Sequence, residues 1–149
     1  MATESWSLFS STVTLSTELN SLGNGNFSNV GAGGVSGQTT GSGNPRFAFA
    51  ELLITFGSSP LANSVVELYA VFAPDGTHYS DGSSSVTPSN QLFVATFVVQ
   101  ASTSAQRLHT ARFDLPPFLT KFLVRNRTTV SFPASGTTIN LFAFNRQIN

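Results

Sequence analysis

Residues 65–76 have the sequence VVELYAVFAPDG, which joins a β-strand to the turn that ends it. The segment Val65–Ala73 is almost entirely β-branched, aromatic or aliphatic, and such residues favour a pleated, half-buried strand. In Pro74-Asp75-Gly76, proline fixes φ, aspartate accepts a hydrogen bond from the backbone two residues ahead, and glycine tolerates a positive φ. The segment therefore predicts a strand that ends in a tight turn, with a short strand or an extended loop over Thr77–Ser80.

A two-residue alternation of apolar side chains recurs on both sides of this segment, and no long window has a helical period. Five further strands are predicted, over Phe47–Phe56, Leu92–Gln100, Gln106–Phe113, Phe118–Arg125 and Thr137–Phe144. Two weaker candidates are Ser11–Leu15 and Thr128–Phe132. Short strands separated by turns, without helices, predict an all-β fold: a two-sheet antiparallel sandwich of the jelly-roll type with about eight strands.

The strand predicted at Leu92–Gln100 is apolar on both faces. Phenylalanine, alanine and valine occupy one alternating set of its positions, and leucine, valine and threonine occupy the other. Strands of this kind are buried on both sides in known folds. We therefore expect protein to cover both faces of this strand.

A change of composition divides the chain. Eight of its 12 glycines lie between Gly23 and Gly43, among Asn, Ser and Thr residues. The only sizeable apolar residues of this segment are Phe27, Val30 and Val35, which are too few to fix its conformation. The segment is then either a flexible linker or a loop that orders against a neighbour. A phosphate-binding loop is a poor match, because neither glycine fingerprint is present and no helix follows. We expect an N-terminal arm with a Gly-rich extended segment over residues 1–45 and the sandwich domain over residues 46–149.

Charge is unusually scarce in this sequence. Only 9% of the residues are Asp, Glu, Lys or Arg, and seven positive and seven negative side chains give a net charge of zero. An ordinary soluble domain has about 25% charged residues. Either hydroxyl and amide groups keep a monomer soluble, or part of the surface is covered in an assembly. The 14 phenylalanines favour the assembly.

Redox, membrane and secretion signals are missing from the sequence. It contains no cysteine, and no apolar run approaches the ~20 residues that span a bilayer. The N-terminus lacks the basic start and apolar core of a secretory signal, so we expect synthesis in a cytoplasm. The triplets Asn26-Phe27-Ser28 and Asn126-Arg127-Thr128 then match the glycosylation pattern by chance.

Catalytic and metal-binding patterns are also missing. His78 and His109 are the only histidines and fall on different predicted elements. Asp75, His78 and Asp81 lie three residues apart in a turn region, but the oxygen ligands of a calcium loop and the partners of a zinc site are not there. No nucleophile elbow or prominent carboxylate pair occurs. We expect no catalytic residues, no metal and no cofactor, and a protein that is not an enzyme.

Two groups of residues are candidates for binding a partner protein. The basic group consists of Arg107, Arg112, Lys121, Arg125 and Arg127. It either docks on an acidic protein surface or prevents pairing of strand edges. The apolar group, in the N-terminal arm, consists of Trp6, Leu8 and Phe9, which we expect to order on a neighbour by adding a strand to an exposed sheet edge. With one lysine and six arginines balanced by acids, nucleic acid is an unsuitable partner.

Several segments from Glu51 to the C-terminus resemble small virion proteins of tailed bacteriophages, in particular jelly-roll cement or decoration proteins on the outside of the capsid. The segments are Val66-Glu67-Leu68-Tyr69, residues 75–82 (DGTHYSDG), Leu92–Val99, residues 115–122 (LPPFLTKF), Arg125-Asn126-Arg127-Thr128 and Phe142-Ala143-Phe144-Asn145. The resemblance implies a structural protein on the capsid exterior. Its partners would be the major capsid protein and itself, as a dimer or trimer, with no nucleic acid and no membrane. Residues 1–45 carry none of these motifs.

Two other functions are compatible with a jelly roll. One is a carbohydrate-binding module of a phage tail tip or fibre, for which Tyr69, His78, Tyr79 and Asp81 would form the sugar platform. The presence of only one tryptophan and two tyrosines argues against it. The other is a neck or tail connector of the same virion, which the sequence does not separate from a head protein.

Overall fold

The computed structural model describes residues 4–8, 13–31, 34–36, 45–89 and 92–148. Within these ranges the chain forms ten strands, one 3₁₀ turn at Thr17–Leu19 and no α-helix. The strands are β1 (Glu4–Leu8), β2 (Val13–Leu15), β3 (Gly34–Ser36), β4 (Phe47–Ile54), β5 (Val65–Ala73), β6 (Phe93–Val98), β7 (Gln106–His109), β8 (Phe113–Asp114), β9 (Leu119–Arg127) and β10 (Thr138–Ile148). In this described part of the chain, no helix has the length and apolar character needed to cross a membrane.

The strands form two antiparallel sheets. Sheet I has the order β1-β10-β4-β7. The short strand β2 pairs with β10 in line with β1, and the short strand β8 pairs with β4 in line with β7. Sheet II has the order β3-β9-β5-β6. Each sheet therefore has four strand positions, filled from both halves of the chain, and the chain crosses repeatedly between the sheets. This order is that of a jelly roll, so the predicted all-β, two-sheet antiparallel sandwich is confirmed.

The core lies between the sheets, and the alternation of side chains decides which residues enter it. On β4, the side chains of Ala48, Ala50, Leu52 and Ile54 face the core and are at most 2% exposed, whereas the residues between them face outward. The same rule selects Ile139, Leu141 and Ala143 on β10, Val66, Leu68 and Ala70 on β5, and Phe122 and Val124 on β9. The core is thus built mainly from one face of each sheet, and Leu19, Leu22, Phe56 and Phe132 add to it from the segments between strands.

Three predicted strands differ from the observed ones. The strand predicted at Gln106–Phe113 is split into β7 and β8, because the hydroxyl of Thr110 accepts a hydrogen bond from the Ala50 N–H at 2.9 Å and the Thr110 N–H donates to the Ala50 carbonyl at 3.0 Å. The strand predicted at Thr128–Phe132 was wrong: this segment is a set of bends with a positive φ of 71° at Thr129.

The third difference concerns Leu92–Gln100, of which β6 covers only the middle. Within this chain, β6 is the last strand of sheet II, and the side chains of Phe93 and Val98 on it are 45% and 52% exposed. The expectation that protein covers both faces was therefore wrong for the chain by itself. Apolar residues on both faces did not place this strand in the middle of a sheet.

Part of the predicted N-terminal arm packs on the sandwich. Leu15 and Leu19 are fully buried in the main core. The backbone N–H groups of Gly25, Ser28 and Gly31 donate to carbonyls of β9 at 2.7–2.8 Å, so residues 22–31 run along that strand. The division at residues 45 and 46 stays a prediction.

Asn126 on β9 fixes this N-terminal segment to the sandwich. It is fully buried, and its side-chain amide donates to the carbonyls of Leu22 and Val130, each at 2.8 Å. Its side-chain oxygen accepts hydrogen bonds from the backbone N–H and the hydroxyl of Thr128. All four bonding positions of the buried side chain are therefore used.

Replacing Asn126 by alanine tests this network. The substitution leaves the buried backbone N–H of Thr128 without a partner, and such an unsatisfied group costs about 1–3 kcal/mol. The carbonyls of Leu22 and Val130 each lose one hydrogen bond but keep a second, from the Phe132 N–H and the Thr128 hydroxyl. We expect Asn126→Ala to lower the free energy of unfolding in urea by about 2 kcal/mol. The matched control is Asn140→Ala, which removes only a surface bond from Thr14 and should change stability by no more than about 0.5 kcal/mol. Equal stability of the two variants would contradict the role given to Asn126.

Candidate functional site

Five aromatic side chains lie together on the outer face of sheet I. Because small residues of β4 and β10 point into the core, the phenylalanines between them point outward. Phe49 lies directly opposite Phe142, and Phe47 lies opposite Phe144. Trp6 on β1 joins them across β10. We call these five residues, Trp6, Phe47, Phe49, Phe142 and Phe144, the aromatic face.

The rings of the aromatic face form a continuous set of contacts. Phe49 and Phe142 are stacked, with their centroids 5.1 Å apart and their planes 18° from parallel. Trp6 contacts Phe144 edge to face at 5.6 Å and Phe47 at 6.4 Å. The four phenylalanines are only half-buried, and Trp6 is 56% exposed. An exposed apolar patch of neighbouring aromatic rings is typical of a surface that binds another molecule.

Arg112, Glu51 and Arg107, at the edge of the aromatic face, have contacts within the chain. The guanidinium of Arg112 lies 4.6 Å from the centre of the Phe47 ring. Glu51, whose side chain is 10% exposed, pairs with Arg107 at 3.5 Å and with His109 at 3.0 Å. His109 is thus bonded to a neighbour on a strand face, as predicted.

The five predicted basic residues do not form one patch. Arg107 and Arg112 lie beside the aromatic face on sheet I. The other three, Lys121, Arg125 and Arg127, lie on β9 and point outward from sheet II. Since β7 and β8 belong to one sheet and β9 to the other, neighbours in the sequence were placed on opposite surfaces of the sandwich.

On sheet II, the basic residues serve contacts within the chain. Arg127 donates to Glu67 at 3.0 Å, and Arg125 lies 3.9 Å from the same carboxylate and stacks on Phe27 at 5.0 Å. Lys121 lies over the ring of Tyr79 at 4.8 Å. The outer surface of sheet II is therefore closed in large part by its own side chains.

Two loops add to the cover on sheet II. Tyr69, Val71 and Leu123 form a small buried cluster there, with side chains no more than 5% exposed. Phe27 and Val30 from one loop pack against it, as do Tyr79 and Leu92 from the other. Burial and, next, a hydrogen bond donated to Glu67 raise the pKa of the Tyr69 hydroxyl above its usual value.

The sugar platform considered from the sequence is not an open one. Tyr69 is only 5% exposed, and the ring of Tyr79 is covered by Lys121. Asp81 lines a shallow cavity of about 470 Å³ together with Ser80, Val86 and Leu92 among others. His78 is bonded elsewhere, to Asp75. The four residues therefore do not present stacked, accessible rings to a ligand.

Asp75 and His78 form a local turn structure. The Asp75 carboxylate accepts hydrogen bonds from the backbone N–H groups of Thr77 and His78, at 2.9 and 2.8 Å, and lies 2.6 Å from Nδ1 of His78. Gly76 has a φ of 77°, as the turn sequence predicted. Among the described residues, no three His, Cys, Asp or Glu side chains come close enough to hold a metal ion.

The predicted N-terminal contact residues are only partly described. β1 pairs with β10 of the same chain, which places Trp6 on the aromatic face and the backbone of Leu8 opposite that of Phe144. Phe9 lies outside the described residues. Docking of this arm on a neighbour stays a prediction, as does partner binding by the basic residues.

The sequence contained a signal for the aromatic face that our sequence analysis missed. In FAFAELLI (residues 47–54) and LFAF (residues 141–144), phenylalanine alternates with alanine or a larger aliphatic residue. The strands were predicted, but alternation alone does not say which of the two faces is inside. The aliphatic residues that follow in the same alternating set as the alanines, Leu52 and Ile54, decide it.

No family model matches the sequence, and no curated protein matches it. Among solved structures, the chain is similar to the C-terminal domain of EclA, a sugar-binding protein, with 13% identity over 93% of this chain and 80% of that one and a TM-score of 0.37. It is also similar to a structure that concerns the promiscuous specificity of carbohydrate-binding modules from the β-sandwich superfamily. The identity is 11% over 98% of this chain and 56% of that one, with a TM-score of 0.31. Similarity at this level carries no inference about ligands.

The turn at Asp75 gives a testable pH dependence. The hydrogen bond from His78 and the two backbone N–H groups lower the pKa of Asp75 from 3.8 to about 2. A folded pKa below the unfolded value stabilises the fold above about pH 4, and this contribution is lost as the pH falls through the folded pKa. We expect the carboxyl carbon of Asp75 to titrate in NMR with a midpoint of about 2.

His78→Ala should raise that midpoint, because the largest cause of the shift is removed while the backbone donors remain. His109→Ala removes the other histidine, which lies on sheet I away from Asp75, and should leave the midpoint of Asp75 unchanged. A midpoint at the ordinary value of 3.8 in the unaltered protein would contradict the described turn.

Proposed function

We propose that this protein is a virion structural protein, a decoration protein of a tailed bacteriophage. It binds the outer surface of the assembled major capsid lattice and stabilises it. The observation that carries the proposal is the aromatic face, five contiguous aromatic side chains that the described part of the chain leaves partly exposed. The resemblance of the sequence to cement and decoration proteins supports the choice of partner.

The chemistry of the aromatic face favours a protein partner. Tryptophan and arginine are frequent anchors at the centres of protein interfaces, and rigid aromatic rings supply contact area at little cost in entropy. Glu51, two residues along β4 from Phe49, is already paired with Arg107 and His109. Asp114 lies directly opposite Phe47 on β8 and is exposed. Covering the rings beside Glu51 therefore desolvates a carboxylate that already has its partners, and a basic group of the partner protein would pair with Asp114.

Binding of this kind stabilises a capsid by mass action. A ligand that binds the assembled lattice and not the free subunits shifts the equilibrium toward the lattice by its free energy of binding. The protein then requires no catalytic residue, no metal and no cofactor. Sheet I would face the capsid, with Trp6, Arg107 and Arg112 in contact, and Lys121, Arg125 and Arg127 would face away from it.

A carbohydrate-binding role in a tail fibre has less support. Its proposed platform is closed by burial of Tyr69 and by the lysine over Tyr79. A neck or tail connector would use the same kind of surface as a head protein. Imaging of the virion by electron cryo-microscopy distinguishes the head from the tail, and a glycan array with the purified protein tests the sugar-binding role.

Capsids that lack this protein provide the test. We expect the purified protein to co-sediment with them, and Trp6→Ala and Phe142→Ala each to weaken binding by at least about tenfold, because each removes an aromatic anchor. The control is Phe118→Ala, which truncates an exposed phenylalanine (38% exposed) that makes no ring contact with the aromatic face. All three variants should keep the circular dichroism spectrum of the parent.

Capsid binding that is lost equally in all three variants would contradict the assignment of the aromatic face. Absence of binding by the unaltered protein, together with a ring-dependent signal on the glycan array, would replace the proposal by the carbohydrate-binding role.

A further inference from the structure

We propose that β6 is a self-association edge. Two copies of the protein pair their β6 strands antiparallel about a twofold axis and so join two four-stranded sheets II into one continuous sheet of eight strands. The inference goes beyond the proposed function, because it concerns a different surface and does not depend on what the aromatic face binds.

The backbone of β6 has bonding groups on its outer side. In the described part of the chain, β6 is the terminal strand of sheet II and pairs with β5 alone. The backbone of Val99, just after it, both donates to Ser64 at 3.0 Å and accepts from Asn63 at 3.2 Å, so Val99 is directed toward β5. Successive residues of a strand direct these groups to opposite sides. The N–H and C=O groups of Thr96 and Val98 therefore point away from β5, as a further strand requires.

Side chains that usually prevent edge pairing do not occur on β6. Proteins protect an edge strand with charged residues, especially lysine, or with proline. From Leu92 to Ala105 the sequence contains neither a charged residue nor a proline. By comparison β7, the edge strand of sheet I, carries Arg107 and His109. The protection found on that edge is thus missing on β6.

Apolar side chains are exposed beside this edge. On the outer surface of sheet II, Phe93 is 45% exposed and Val98 is 52% exposed, and Thr96 between them is exposed too. In an antiparallel pair, side chains directly opposite each other have their Cβ atoms about 5 Å apart. A second strand would therefore cover Phe93 and Val98 as well as satisfy the backbone.

A second copy is the occupant that suits this edge. Antiparallel pairing of a strand with its own copy is self-complementary, and it closes after two molecules because each copy uses the same edge. A net charge of zero means that two copies do not repel each other. Pairing centred on Thr96, one of the two residues whose backbone groups point away from β5, places this threonine opposite its symmetry mate.

Sedimentation of the purified full chain tests the proposal without capsids, so its result is separate from that of the capsid experiment. We expect a concentration-dependent dimer with twice the 15.8 kDa mass of one chain. Thr96→Lys should shift the protein to monomer, because two lysines would meet at the twofold axis. Leu61→Lys, which adds the same charge at a position 66% exposed in a loop, should remain a dimer.

A backbone variant tests the strand pairing itself. Thr96→Pro removes an N–H that points away from β5, so the pairing within the chain survives while the pairing between copies is lost. Thermal unfolding shows whether each variant is folded, and hydrogen exchange of the Thr96 and Val98 amides should slow as the protein concentration rises. A monomeric parent protein, or an oligomer that Thr96→Lys and Thr96→Pro leave intact while folded, would overturn the proposal.

Discussion

The structure depends on which way the alternating residues of β4 and β10 point. These two strands lie side by side at the centre of sheet I, and a shift of one residue would exchange the two faces of each. Leu52, Ile54, Ile139 and Leu141 hold the observed choice, because all four are buried in the core. The consequence is that alanines lie inside and four phenylalanines lie outside. Full burial of a phenylalanine side chain is worth about 1.5–3 kcal/mol, and these four rings are only half-buried. A partner that covers the rings therefore gains the rest of this favourable free energy on binding.

Two carboxylates of the described residues are paired with basic side chains of the same chain. Each sheet has one nearly buried glutamate on its outer surface, Glu51 on sheet I and Glu67 on sheet II. Each glutamate pairs with a basic residue directly opposite on the next strand, His109 or Arg125, and with a second one two positions away along that strand. The whole chain has a net charge of zero, and a net charge near zero favours association between proteins.

The fold could be predicted from the sequence to a large extent, because strand alternation is a local property. The segment Val65–Ala73 formed a strand with the predicted bounds, and the tight turn after it followed from proline, aspartate and glycine. The failures came from tertiary contacts: the hydroxyl of Thr110 interrupts a strand, and the hydrogen bonds of Asn126 hold Thr128 in a bend. The site was less predictable. A jelly roll sends consecutive strands to different sheets, so five basic residues close in sequence were divided between two surfaces. Which side chains of FAFA (residues 47–50) face inward could be decided only from the packing of the core.

Trp6 is the only tryptophan in the chain and lies on the aromatic face, where it is 56% exposed. Its fluorescence therefore reports directly on whether a partner covers that face. The decisive measurement is acrylamide quenching of Trp6 in the free protein and in the protein bound to capsids, with difference spectra against capsids alone to remove the fluorescence of the shell. The account predicts strong quenching of the free protein and a marked loss of quenching, with a blue-shifted emission, in the bound one. Equal quenching in both states would show that the aromatic face stays in solvent on the particle, and would contradict its role as the binding surface.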